Sequence, residues 1–200
     1  MPAVQAKNST TERTSEVYRT AAELIVDKGF GGTSIGDIAT AVGMTKASLY
    51  HHISGKQDML YQIMQHAMDE LERTVIAPVR LIEDPEQRLR EIMRLHIMGA
   101  IEHGVAITIV MSEISHLEPD QRQDIIKRRK AYHALARQAL RQLADQGRLR
   151  DLDVNIATMH IMNTLVGIAR WYPNDITSNQ TRLIRETVEY NVAAILKTTS

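Results

Sequence analysis

The stretch TSIGDIATAVGMTKASLYHHISGK, residues 33–56, contains the pattern that decides the fold. Its first half predicts a short helix with one buried face, because apolar side chains recur there at helical spacing: Ile35, Ile38, Ala39 and Val42. Gly43 then suits a tight turn, since glycine adopts positive φ without a Cβ clash. A second helix follows over residues 46–53, with Leu49 and Ile53 pointing inward. The stretch therefore predicts two short helices joined by a turn.

Polar residues at the starts of these helices predict their caps. Ser34 has Asp37 three residues later, a weaker form of the capping box, and Thr45 suits the cap of the second helix. Such a pair is the layout of a helix-turn-helix, whose second helix enters the DNA major groove by its N-terminal residues. Between Gly43 and Lys56 the chain carries two lysines, two histidines and no acid, which favours a negatively charged partner.

The free side of the second helix supplies the predicted contacts to DNA. We expect Lys46, Ala47 and Ser48 to face base edges, because lysine donates to guanine and an alanine methyl contacts thymine. Phosphate contacts are expected from flanking side chains, among them Lys56 in the first turn of the next helix. The predicted DNA-binding residues are Thr33, Ser34, Thr45, Lys46, Ala47, Ser48, Tyr50, His51, His52 and Lys56.

The same stretch resembles the DNA-binding domain of the TetR family of bacterial transcriptional regulators. The resemblance covers roughly residues 13–71, through Lys28-Gly29-Phe30, TSIGDIA, GMTKASLYHHI and GKQDML in that order. It implies a homodimeric repressor that binds a palindromic double-stranded operator and leaves it when a small-molecule effector binds. Gly36 stands where many members of the family have arginine, so base reading by the first short helix is not expected.

Composition favours an all-α chain. The 200 residues are 44% hydrophobic and contain no cysteine, which excludes disulfides and cysteine-ligated metal. No long alternating run of β-branched residues predicts a strand. An apolar run of about 18 residues and the apolar core of a signal peptide are both missing, so we expect a cytoplasmic protein without a membrane span. The net charge is zero, so DNA affinity must come from a local patch.

Three segments and about nine helices are predicted. Residues 1–12 are polar and lack periodicity, which favours a disordered tail. Residues 13–58 form the three-helix DNA-binding domain, and residues 59–200 form a helical ligand-binding and dimerisation domain. The connecting helix begins with a predicted capping box, Ser54 to Gln57, and Pro78 bends or ends it.

Start and stop signals divide the second domain. Asp84 and Pro119 open two helices, and the apolar segment VAITIVMSEI between them is predicted to be helical. Either Asp151 or Asp153 caps the next helix, and a capping box from Thr177 to Gln180 opens the last. The last two helices are expected to form the dimer interface, with a monomeric core as the alternative, through Ala157, Ile161, Leu165, Ile168, Leu183, Ile184, Val188, Val192 and Ile195.

The segment Gly167-Ile-Ala-Arg-Trp-Tyr-Pro173 indicates the class of effector that the protein binds. An RWY followed by proline and a capped last helix resembles the TetR regulators of fatty-acid and steroid-ring breakdown, several of which respond to acyl-coenzyme A thioesters. The resemblance implies such an effector, although Asn174-Asp175 stands where those regulators usually have a glycine. Methionines suit an adaptable apolar pocket. The predicted ligand-binding residues are Met93, His96, Met111, His133, Met162, Arg170, Trp171 and Tyr172.

No cofactor, metal site or catalytic site is predicted. The eight histidines form no HExxH-like pair, and no Ser-His-Asp order or glycine-rich phosphate loop stands out. Two alternatives from other classes remain. One is a helical enzyme or ligand-binding protein with a vestigial DNA-binding domain, and the other is a dimerisation protein without DNA affinity.

Overall fold

The computed structural model describes residues 2–51, 53–172 and 179–197. Within these ranges, side chains are described from residue 15 onward, except that of Trp171. The described chain is all-α, as predicted, and its one β feature is an isolated bridge between Leu149 and Leu196. The helices are α1 (Pro2–Gly32), α2 (Ile35–Ala41), α3 (Lys46–Tyr50), α4 (Lys56–Leu71), α5 (Ala77–Val79), α6 (Pro85–Ser112), α7 (Pro119–Asp145), α8 (Val154–Trp171) and α9 (Gln180–Ile195).

The chain divides into two compact units. The first contains residues 1–68 and 105–125, and the second contains residues 69–104 and 126–200. The sequence instead predicts a single boundary after residue 58. The division differs because most of α4, together with a segment from the middle of the chain, packs with the N-terminal helices.

Contacts inside the first unit show how its middle segment is attached. The rings of Phe30 and His116 lie 4.8 Å apart between centroids. Gln57 donates a hydrogen bond to the carbonyl oxygen of His116 at 3.3 Å, and the Tyr61 hydroxyl donates to an Asp124 carboxylate oxygen at 3.0 Å. The segment is therefore held to the end of α1 and to the first turns of α4.

Helix α1 begins at Pro2. Residues 2–12 are therefore helical, whereas the sequence predicts a disordered tail there. Its beginning has a local cause, because Pro2 suits a first helical turn and no further proline or glycine follows before Gly29. Gly29 has φ +73°, which glycine adopts without a Cβ clash, and it breaks the helical geometry near the end of α1.

Helix α4 passes into α5 through a π-helical turn, Glu72–Ile76. Pro78 explains this turn, because it has no N–H to donate and its ring clashes with the carbonyl group four residues earlier. The helix is thus distorted just before the proline, where the sequence predicts a bend.

Helix α6 contains residues 105–112 of the apolar segment that was predicted to be helical, and it has a kink at His103, where φ is −131° and ψ is 29°. By length and composition alone this helix is apolar enough to cross a membrane. Some of its apolar side chains are fully buried in the protein, among them Leu89, Ile92, Met93 and Ile97, whereas Met98 is exposed.

Side-chain caps start the later helices. The Asp84 carboxylate accepts a hydrogen bond from the backbone N–H of Gln87 at 2.7 Å, at the start of α6. Asp153, and not Asp151, caps α8. Asn179 caps α9, while Thr177 and Ser178 of the predicted capping box lie outside the described residues.

The apolar stripes of α8 and α9 that were predicted to form a dimer interface are largely buried within the chain. Ala157, Ile161 and Leu165 of α8 and Val188 and Val192 of α9 belong to its own core. The monomeric-core alternative is therefore correct for these side chains. A different group of large apolar side chains on the same two helices is exposed: Ile156, Met159 and Tyr190.

Candidate functional site

The start of α2 is held by the predicted capping box. The Ser34 hydroxyl accepts a hydrogen bond from the backbone N–H of Asp37 at 3.1 Å, and the Asp37 carboxylate accepts one from the backbone N–H of Ser34 at 2.8 Å. The hydrogen bonds from Ser34, and more weakly the charges of Lys28 and Lys46, lower the pKa of Asp37. The prediction for this cap is confirmed, and Ser34 itself is exposed.

Helix α3 starts at the predicted cap and is shorter than predicted. The Thr45 hydroxyl accepts a hydrogen bond from the backbone N–H of Ser48 at 3.0 Å. The helix ends at Tyr50 rather than at residue 53. Leu49 and Ile53 are 1% and 4% exposed, so both anchor the segment in the core as predicted.

The opposite side of this segment is exposed and is called here the α3 face. It consists of Thr45, Lys46, Ala47, Tyr50 and His51, all of them exposed. Ser48 is half-buried at its edge, and His52 lies outside the described residues. Because the cap and the two core anchors fix the backbone, the α3 face presents a rigid surface with one certain positive charge, that of Lys46, and no carboxylate of its own.

Lys46 lies across the first turn of α2. A Cβ atom added to Gly36 would come within 2.6 Å of Lys46 Cε and 2.9 Å of Lys46 Nζ. Gly36 thus leaves the space that the lysine side chain occupies. A side chain at residue 36 would therefore require the Lys46 side chain to move.

Thr33 does not belong to the exposed surface, which corrects the prediction that it contacts DNA. The residue is 2% exposed. Its hydroxyl donates to the carbonyl oxygen of Gly29 at 2.9 Å, and the carbonyl oxygen of Leu24 lies at 3.3 Å. The side chain is used to close the end of α1 and has no access to a phosphate.

Lys56 also has an internal role that the sequence analysis missed. Its ammonium donates to the carbonyl oxygens of Phe30 at 2.6 Å and Thr33 at 2.9 Å, and lies 4.3 Å from the centre of the Phe30 ring. The predicted role as a phosphate clamp is therefore corrected. Lys56 ties the start of α4 to the segment between α1 and α2, and so fixes the base of the helix-turn-helix.

The capping box predicted at Ser54 and Gln57 is likewise absent from the described contacts. The backbone N–H of Ser54 donates to the Asp58 carboxylate at 2.8 Å, four residues on. Gln57 points elsewhere, because its amide group binds the carbonyl oxygen of His116. The Asp58 carboxylate therefore accepts the hydrogen bond that the sequence assigned to Gln57.

The predicted effector residues are brought together only in part. Met93 and His96 on α6 and Met162 on α8 are buried in the second unit, where His133 of α7 is half-buried. Met111 belongs to the first unit. In the RWY segment, Arg170 is exposed, Tyr172 is half-buried at the end of α8, and the Trp171 side chain lies outside the described set.

His96 forms the polar centre of this group. Its Nδ1 lies 2.9 Å from the Tyr132 hydroxyl, and the two rings are stacked with centroids 5.7 Å apart. Burial and the neighbouring His133 lower the pKa of His96 to about 4. Burial raises the pKa of Tyr132. Both side chains are therefore neutral at physiological pH.

Acidification should destabilise the protein through this histidine. Between the ordinary pKa of 6.5 and the folded-state pKa of about 4, the unfolded chain binds a proton that the folded chain does not bind. The free energy of unfolding should therefore fall as the pH drops from 6.5 towards 4, by up to about 1.4 kcal/mol per pH unit. Urea denaturation at several pH values measures this slope.

The His96→Gln variant should reduce that slope, whereas His51→Gln, at an exposed position just after α3, should have little effect on the stability of the free protein. Part of the slope should remain in His96→Gln, because burial and the charges of Arg129 and Arg137 also lower the pKa of His133. Equal slopes in the wild type and in His96→Gln would contradict the assignment of a buried neutral imidazole.

Among the described residues, no group of three or more histidine, aspartate or glutamate side chains could hold a metal ion. What the described residues do present is a capped pair of short helices with the acid-free start of the second exposed. That geometry defines a helix-turn-helix DNA-binding protein.

Family models support this class along most of the chain. Residues 17–63 match the model described as bacterial regulatory proteins, tetR family, and residues 83–195 match the tetracyclin repressor-like C-terminal domain. The chain belongs to the TetR family. It is a DNA-binding transcriptional regulator, and its relatives are named as regulators rather than enzymes.

Individual relatives are similar over most of their length. The HTH-type transcriptional repressor KstR2 of Mycobacterium tuberculosis is 27% identical over 162 residues, which cover 80% of this chain and 81% of that protein. The crystal structure of AibR in complex with isovaleryl coenzyme A and operator DNA is 32% identical, with a TM-score of 0.81, and the match covers 89% of this chain and 97% of AibR. The regulator PfmR of Thermus thermophilus is 28% identical over 88% of this chain and 97% of its own, with a TM-score of 0.80.

Proposed function

We propose that this protein is a homodimeric, cytoplasmic repressor that binds a palindromic operator through the α3 face and releases it when an effector binds. The observation that carries the proposal is the rigid, exposed and acid-free α3 face. Thr45, Lys46, Ala47 and Ser48 would meet base edges, while Ser34, Tyr50 and the histidines His51 and His52 would meet phosphates. One such helix reads only a few base pairs, so a two-fold pair is needed for useful specificity.

The exposed apolar side chains of α8 and α9 support dimerisation through these helices. Ile156 is 60% exposed, Met159 is 46% exposed and Tyr190 is 77% exposed. Around the first two, a cavity of about 250 Å³ opens on α8, lined also by Asn155, His160 and Asn163. Large apolar side chains clustered on a surface are typical of an interface. The proposed interface therefore uses the helices that the sequence predicts but a different face of them.

The effector that we propose is an acyl thioester of coenzyme A. The support comes from the similarity to AibR, whose structure contains isovaleryl coenzyme A, and from the buried methionine and histidine side chains of the second unit. Met93 and Met162 would pack against the acyl chain, because thioether side chains adapt to irregular apolar groups. The ligand must favour the state with low DNA affinity, since only a difference in affinity between two states releases the operator.

Tyr50→Ala should weaken DNA binding about fivefold for each subunit without changing its salt dependence. The reason is that a neutral hydroxyl bonded to a phosphate contributes about 1 kcal/mol and releases no counterion. Fluorescence anisotropy with operator and unrelated duplexes, each at several salt concentrations, measures both quantities. Both duplexes should be affected alike, because a phosphate contact carries no sequence information.

Tyr50→Phe is the matched control, because it keeps the ring and removes only the hydroxyl. It should reproduce the loss if the hydroxyl binds a phosphate. Lys46→Met should behave differently and weaken binding to the operator more than to the unrelated duplex, since this lysine is assigned to a base edge. Wild-type affinity in Tyr50→Ala would contradict the placement of this residue against DNA.

A further inference from the structure

Two buried nitrogen atoms in the second unit have no hydrogen-bond partner among the described residues. They are Nε2 of His96, on α6, and Nε of Arg137, on α7. His96 is 5% exposed, so its ring has little access to solvent. Buried polar atoms are normally paired, and each exception calls for a reason. Here the two exceptions are linked through α7, because the His96 ring stacks on Tyr132, next to His133, and Arg137 lies one turn beyond His133.

The tautomer of His96 follows from its one hydrogen bond. The Tyr132 hydroxyl has a single proton, and His96 Nδ1 is its only acceptor within the described chain. If Nδ1 accepts that proton, the ring carries its own hydrogen on Nε2. The opposite tautomer would leave both the Tyr132 proton and the Nε2 lone pair unused. His96 Nε2 is therefore a hydrogen-bond donor, as Arg137 Nε always is.

Positive charge surrounds these two donors. Arg129, His133 and Arg137 are spaced four residues apart on α7 and so lie along one side of the helix. All three are half-buried, and the two arginines form no ion pair or hydrogen bond with any described residue. Burial lowers the pKa of Arg129. Each arginine is only partly exposed to water and has no carboxylate partner, so an anion from outside the chain would pair favourably with both.

We propose that His96, Arg129, His133 and Arg137 form a binding site for an oxyanion of the effector. The site would accept a phosphate or a carboxylate, with the guanidinium groups supplying charge and His96 Nε2 donating to an oxygen atom of the same ligand. Tyr132 is a positioning residue, because it holds His96 in the donor tautomer. The inference rests on the proposed function for its ligand class, and it adds that a purely hydrocarbon effector would not satisfy the site.

Isothermal titration calorimetry of the full chain without DNA tests this site. The probes are isovaleryl coenzyme A, coenzyme A and isovalerate. Arg137→Met should weaken binding of the anionic probe by about tenfold or more, because a charge-assisted hydrogen bond is lost. Arg141→Met is the matched control, since Arg141 is exposed one turn further along α7, and it should bind as the wild type does. Loss limited to the two coenzyme A probes identifies a phosphate, and loss for isovalerate identifies a carboxylate.

Thermal melting of the free proteins separates a binding role from a structural one. Arg137→Met should melt at or above the wild-type temperature, because it removes an unpartnered half-buried charge. A lower melting temperature in Arg137→Met, unchanged affinity for every probe, or failure of the wild type to bind any probe at millimolar concentration would overturn the proposal. Because the titration contains no DNA, probe binding without operator binding would refute the proposed function and leave the site intact.

Discussion

Ala47→Asp should abolish operator binding while the protein stays folded. Ala47 is exposed at the second position of α3, where a carboxylate is compatible with the helix dipole. In the complex the same carboxylate would face the negatively charged groove. Like charges brought together in an interface cost several kcal/mol, so the affinity should fall on the order of 100-fold or more. Fluorescence anisotropy with operator DNA measures the loss, and circular dichroism shows whether the helices remain.

Ala131→Asp provides the matched control for this experiment. It makes the same change at an exposed position of α7 in the second unit, so it alters the net charge equally. Its operator affinity should stay close to that of the wild type. If both variants lose affinity to the same extent, net charge rather than the α3 face governs binding, and the assignment of α3 is wrong.

Lys56→Met should destabilise the free protein by about 3 kcal/mol. The variant loses two hydrogen bonds from a charged donor, those to the carbonyl oxygens of Phe30 and Thr33, and each contributes about 1.5 kcal/mol. For a chain of this size the melting temperature should fall by roughly 10 °C. Methionine retains most of the aliphatic stem, so the loss reports on the ammonium and not on packing.

The same variant distinguishes an internal clamp from a phosphate clamp. A lysine that only binds phosphate would leave the melting temperature of the free protein unchanged and would flatten the salt dependence of DNA binding. Lys28→Met, at an exposed position near the end of α1, is the control and should melt as the wild type does. A wild-type melting temperature in Lys56→Met would restore the phosphate role.

Local sequence signals predicted the helix-turn-helix well. Ser34 and Thr45 cap the helices that they were expected to cap, and Leu49 and Ile53 are buried as expected. Each of these features depends on residues within four positions of one another, so the spacing along the chain decides them. The all-α fold follows in the same way from caps, prolines and apolar periodicity.

Features that depend on distant partners could not be predicted in this way. Lys56 binds the carbonyl oxygen of Phe30, 26 residues earlier, and nothing in the spacing of the sequence indicates that contact. The prediction of which face of α8 and α9 forms the dimer interface was wrong for a related reason. Apolar periodicity on α8 and α9 shows that a face is buried, but it does not show whether the same chain or a second copy buries it.

The sequence also could not predict that His96 Nε2 and Arg137 Nε are buried without a hydrogen-bond partner. His96 was predicted to bind ligand, whereas the role of Tyr132 in fixing its tautomer requires the contact between α6 and α7. Arg137 gave no signal, because an arginine on a long polar helix is usually solvated. A spacing of four between Arg129, His133 and Arg137 was the only available clue.

Selection from a pool of random duplex DNA tests the central claim most directly. The purified full chain should enrich one inverted repeat, with half-site centres separated by a whole number of helical turns of about 10 base pairs. The Ala47→Asp variant should enrich nothing from the same pool. Enrichment of a single unpaired half-site would contradict the dimeric mode of binding, and no enrichment by the wild type would contradict operator recognition by the α3 face.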